Sequence, residues 1–217
     1  MNRLAAFFSA RNSLRAWQLW TLGIAAALFV FGARCLLVRD FGCSLPYWDQ
    51  WDAEGDDLFT PYFRNKLGLG NFFRLHNDHC IFFTKVVAFF TVVPTGQWDA
   101  RLEMVVNAFV LGGSLFALLY FSLRNNNRWA GLVLAILGAA LFSTACAWEN
   151  ILQGFQSQFS FLHLFAALHL GLSLRYRDQP VKCGLAQLAG LAGVASMAGR
   201  RTCSPRTSPS LAVRYRK

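Results

Sequence analysis

Residues 17–37 read WQLWTLGIAAALFVFGARCLL, an apolar run broken by one charge at Arg34. A bilayer's hydrocarbon core is about 30 Å thick and a helix rises about 1.5 Å per residue, so about 20 apolar residues cross it. This run has that length, and Arg34 lies close enough to its end to snorkel toward the headgroups. Working outward, three more stretches qualify: Leu102–Leu123, with Glu103 at its entry and Asn107 one turn further in; Trp129 to about Ala147; and Phe159–Leu174. A fifth, Gly184–Gly199, is short and rich in small residues, so its crossing is marginal. The expectation is an all-α integral membrane protein of four to five transmembrane helices.

Composition agrees. The 217 residues are 55% hydrophobic and 15% charged, with 21 Phe and 7 Trp, which leaves too little polar surface for a soluble domain. Arg3, Arg11 and Arg15 precede the first run as in a signal peptide. That run is too long for a signal's apolar region and no A-x-A-like site follows, so the segment reads as an uncleaved helix.

Basic residues in short connections are retained on the cytoplasmic side. They occupy the N-terminal tail, the second connection (Arg124, Arg128) and the fourth (Arg175, Arg177, Lys182), and are missing from Ser143–Gln158. The expected layout is a cytoplasmic tail over 1–13, a membrane domain over 14–199 with an external loop at 39–98, and a basic tail over 200–217. That tail, RRTCSPRTSPSLAVRYRK, breaks the charge alternation and changes composition within one residue. It reads as the frameshifted or truncated end of a longer membrane protein, the alternative being a cytoplasmic tail on anionic lipid. The tail holds six of the 21 basic residues, so the net charge falls from +10 to +4 without it, and the high charge does not argue for nucleic acid.

The external loop holds seven of the eleven acids. Its opening, SLPYWDQWDAEGDD, sets Asp49 and Asp52 among Tyr47, Trp48 and Trp51, while Asp56 and Asp57 follow Gly55 in what reads as a turn. Carboxylates there suit taking a proton from a nucleophile or binding a divalent cation, and Trp suits stacking on a sugar or lying at headgroup level. An aromatic belt followed by a solvated acidic loop is the plain alternative. The second cluster, RLHNDHC, offers His76, Asn77, Asp78 and His79. As a helix it would put both histidines on one face at i, i+3. Two histidines are too few for zinc and no HExxH is present, so no metal or other cofactor is firm and a divalent cation stays open. Ile81–Val93 reads as an interfacial segment closed by Pro94 and Gly96. In the third connection Glu149, Asn150, Gln153, Gln156 and Gln158 alternate with aromatics, as expected for cavity lining or for hydrogen bonds between helices. The six cysteines show no CxxC spacing. Cys43 and Cys80 could pair if both face an oxidising compartment, which the reading does not favour.

These features resemble the N-terminal part of the GT-C glycosyltransferases, polytopic enzymes that use polyprenyl-phosphate sugars. The similarity rests on an acidic first external loop, interfacial helices after it, and Ala100, Arg101 and Leu102 opening the next span. A closer similarity is to bacterial membrane proteins carrying PYWDQW, HNEHR-like and WENILQGFQSQF-like stretches, here Pro46–Trp51, His76–Cys80 and Trp148–Phe159. Together they cover most of residues 14–199. The resemblance implies a bacterial inner-membrane location with a polyprenyl-phosphate sugar as donor. It implies Asp49 or Asp52 as the catalytic acid residue, and Trp48, Trp51, His76, Asn77, Asp78, His79, Arg101, Glu149, Gln153 and Gln156 as substrate-binding. Cys80 departs from the pattern's Arg and removes a phosphate contact, and five helices are fewer than the family's. The alternative is a non-catalytic or transporter component. No internal repeat or matched broken helices speak for transport. Oligomeric state is left open.

Overall fold

The computed structural model describes residues 15–123 and 128–199. The tails 1–13 and 200–217 and Arg124 lie outside the described residues. Four helices are long and apolar enough to cross a membrane, bounded as Ala16–Phe41, Ala100–Leu123, Trp129–Ile151 and Gly154–Arg175. The chain is an all-α multi-pass membrane protein.

The first span is α1, Ala16–Phe41. The first connection then forms a nine-residue π-helix, Trp51–Phe59, that runs into α2 (Thr60–Phe63), followed by α3 (Leu69–Phe72), the two-residue β1 (His79–Cys80) and α4 (Phe82–Thr95). The second span is α5, Ala100–Leu123, and the third contains α6, Arg128–Ser143. The third connection folds as a 3₁₀ turn, Ala145–Ala147, then α7 (Trp148–Ile151) and a second 3₁₀ turn, Gly154–Gln156. α8 (Ser157–Arg175) and α9 (Pro180–Met197) complete the helices, and β2 (Ala198–Gly199) ends the described chain.

Lipid gives no hydrophobic drive between helices, so close packing and polar bonds must hold them. Gly112 of α5 supplies close packing: a Cβ there would lie 2.9 Å from the Ala27 carbonyl oxygen of α1. Val30, Leu115 and Leu119 fill the α1–α5 seam, while Leu132, Val133, Ile136, Leu137 and Leu141 of α6 stay exposed as lipid-facing side chains do. Arg34 does not snorkel. It is buried and donates from Nε to the Phe142 carbonyl (2.8 Å), because the last carbonyls of α6 lack intrahelical donors and a guanidinium can satisfy one.

The marginal fifth segment forms α9, which runs antiparallel to α8: a His169 ring nitrogen lies 2.7 Å from the Ala186 carbonyl, and Gly193 lies by Phe165. Its far end reaches the first connection, where β2 pairs antiparallel with β1, His79 opposite Gly199 and Cys80 opposite Ala198. α9 is not among the four helices with the hydropathy of a span.

The interfacial reading of 81–93 corresponds to α4, whose fourteen residues are too few to cross. It ends where Gly96 adopts φ +66°, a left-handed cap that glycine takes without strain. Two local expectations are corrected. Asp56 and Asp57 lie inside the π-helix rather than in a turn at Gly55. His76 and His79 are not on a helix either. They exchange backbone hydrogen bonds (both 2.9 Å) across a tight turn whose Asn77 has φ +52°, a conformation asparagine tolerates better than most residues.

Candidate functional site

The three motif stretches converge at one end of the spans. Trp48 and Asp49 form a turn that leads into the π-helix. Trp48 takes φ +48°, which costs a bulky residue about 1–2 kcal/mol. The next residue, Asp49, meets His76 of the tight turn, Oδ2 to Nε2 3.3 Å, with side-chain exposures of 35% and 10%. Asn77 Nδ2 also reaches His76 Nε2 (3.2 Å). That nitrogen serves one partner at a time: protonated it donates to Asp49, bare it accepts from the amide. On its other side the His76 ring packs edge-on against Phe155 of the third connection, centroids 5.2 Å apart, and Phe155 clusters with Ala53 and Ile81.

Beneath this pair lies a buried polar knot that sequence reading missed. Gln50 accepts from the Tyr47 N–H through Oε1 (3.2 Å). Its Nε2 donates to Glu54 Oε2 (3.2 Å) and to Glu103 Oε2 (3.1 Å). Trp98 Nε1 donates to Glu103 Oε1 (3.1 Å). Both carboxyls are buried, and burial, then the facing Glu103 carboxyl, hold Glu54 well above the usual carboxylate range. Gly154 of the third connection sits on Glu103, where a Cβ would fall 2.6 Å from the Glu103 Cβ. The signal was present in the sequence: Gln50 and Glu54 are four apart on one helical face, and a carboxylate inside the first turn of a span needs a partner.

A second buried group fixes the first connection from the other side. Lys85 of α4, fully buried, donates to Asp57 Oδ2 (2.9 Å) and to the carbonyls of Arg74 (2.9 Å) and Asn71 (3.2 Å). Burial pulls this ammonium below its usual value, opposed by Asp57, which also pairs with Arg74 (3.1 Å). Deeper in, Ser157 donates to Thr84 (2.9 Å), Asn107 donates to the Asn150 carbonyl (3.1 Å), and Ser160 bonds to Asn107. The third connection is therefore tied to both α4 and α5.

The remaining expected residues ring this centre. Trp48 and Trp51 are exposed, at 75% and 54%, and Trp51 meets Trp98 edge-on. Asp52, Asn77, Asp78, His79 and Glu149 are exposed. Arg101 is half exposed and lies 3.7 Å from Asp99. Gln156 donates to Gln153 (3.2 Å) and accepts from Gln158 (3.1 Å), so these amides bond one another. No hydrogen bond or ion pair joins Asp52, Arg101 or Glu149 to Asp49 or His76 among the described residues. Cys43 and Cys80 are free thiols, the first exposed and the second buried. Among the described residues no three His, Cys, Asp or Glu side chains gather as a metal site would require. Comparison with protein-family models, curated proteins and solved structures returns no match.

Proposed function

We propose that the protein is a GT-C-like glycosyltransferase, or the membrane portion of one, that moves a sugar from a polyprenyl-phosphate donor to an acceptor hydroxyl outside the bacterial inner membrane. One observation carries the reading. Asp49, from the first acidic motif, stands accessible against His76, from the second, at the end of the spans where a lipid-borne donor presents its headgroup. In this reading Asp49 takes the acceptor's proton as its oxygen bonds to the anomeric carbon. The carbon–oxygen bond to phosphate breaks, and polyprenyl phosphate leaves with the electron pair. His76 holds the Asp49 carboxylate in place. The exposed rings of Trp48 and Trp51 offer faces for a sugar, and the half-exposed Arg101 a charge for the phosphate. The N-terminus is cytoplasmic, as the distribution of Arg and Lys indicates.

The test is the full chain in liposomes with polyprenyl-phosphate hexoses and pentoses, following release of polyprenyl phosphate. Asp49→Asn should lower the rate by about 10²–10⁴-fold, the usual contribution of a general base. Undiminished release by Asp49→Asn would remove the catalytic assignment, and no release with any donor would remove the transferase reading.

A further inference from the structure

Glu54 and Glu103 come from two elements, are both buried, and are bridged by one neutral amide. No Lys, Arg or His forms an ion pair with either among the described residues. Two ionised carboxylates held this way would place two uncompensated charges out of water, which burial strongly disfavours. Counting donors shows which one keeps its charge. Glu103 accepts from Gln50 and from Trp98, whereas Glu54 accepts from Gln50 alone and its Oε1 has no partner. One nitrogen, Gln50 Nε2, donates to Oε2 of both, so the two carboxyls are close neighbours whose charges would repel. A proton on Glu54 removes the charge that Gln50 alone does not compensate and leaves Glu103, held by Gln50 and Trp98, as the charged member.

We propose that Glu54 and Glu103 hold one proton between them, seated on Glu54, and that this pair latches the external π-helix to the start of the second span. Gln50, the bridging amide, directly follows Asp49, so the latch positions Asp49; Glu54 and Glu103 are positioning residues, not catalytic ones. The consequence for Asp49 rests on the transferase reading, whereas the proton assignment does not. Of the charged groups around the pair, Asp99, just before α5, adds a like charge near Glu103 and itself faces Arg101 (3.7 Å); α4 presents Lys85, taken up by Asp57 together with Arg74; the Gly154–Gln156 turn brings no titratable side chain.

The pH dependence has a definite sign. Docking holds Glu54 above its ordinary value of 4.5, so the docked state binds the proton more tightly than the released state. Docking is strongest below that ordinary value. It weakens by about tenfold per pH unit above it, until Glu54 ionises in place, and is level beyond.

Two measurements on the full chain in liposomes test this. Infrared spectroscopy at neutral pH should show a protonated-carboxyl C=O band that is lost in Glu54→Gln; a wild-type spectrum with every carboxyl ionised overturns the proposal without any variant. Second, Cys80, fully buried beside Ile81, reports release of the loop when the other five thiols are replaced by alanine. Wild type and Glu54→Gln are labelled at matched pH, so that thiol ionisation cancels. The wild-type to variant labelling ratio should rise between about pH 6 and pH 9, by up to about tenfold per pH unit until Glu54 ionises in place. A ratio that stays constant overturns the latch. Neither readout involves sugar transfer, so failure of the transferase reading and failure of the latch are distinguishable.

Discussion

At the residue scale, the first connection is held by two buried ionisable groups whose environments differ in kind. Lys85 has a full set of oxygen partners and a carboxylate, so its charge is compensated in place. Glu54 has no cation, and only a proton compensates it. Removing one partner of a buried pair strands the other charge, at a cost of about 3–5 kcal/mol. Lys85→Met should therefore lower thermal stability in detergent by about that amount, toward the lower end because Arg74 stays on Asp57. Adding Asp57→Leu to it should recover part of the loss, and an unchanged melting temperature in Lys85→Met would show that the pair does not hold the loop. Sequence reading singled out Asp49 and His76 because a carboxylate or an imidazole among aromatics is conspicuous. It passed over Glu54 and Lys85 because an acidic run reads as wet and a lysine on an interfacial helix reads as surface. Their burial comes from the chain folding over them, which no local pattern records.

At the element scale, the spans were legible and the connections were not. A run of about 20 apolar residues has few alternatives to a membrane helix, so the four spans could be read directly. The acidic stretch after Trp51 has no such constraint. It forms a π-helix, a rare form often found at functional sites, where a turn at Gly55 was expected. The HNDH cluster turned on Asn77, whose left-handed φ makes a tight turn where helical spacing was also open. The 3₁₀ turn at Gly154 shows how the third connection docks on α5. It approaches Glu103 so closely that even a methyl group must displace it. Gly154→Ala should cost about 1–3 kcal/mol, the usual range for overpacking, measured by thermal unfolding in detergent. A substitution without effect would mean that the connection does not rest on Glu103.

At the scale of the whole molecule, helices that cross the membrane carry three separate motif stretches to one end, where Asp49, His76 and Phe155 meet. This convergence was only partly legible: charge alternation indicated that the loops share a side, while their contact depends on tertiary packing. The proposal requires that end to face outward, and the chain carries its own reporters. Cys43 is exposed just past α1, at the motif end, and Cys183 lies in the first turn of α9, at the opposite end. The most direct measurement is labelling of intact cells with a membrane-impermeant maleimide, read peptide by peptide. The account predicts that Cys43 is labelled from outside and that Cys183 is labelled only after permeabilisation. Labelling of Cys183 in intact cells with Cys43 protected would invert the orientation and contradict an external transferase site.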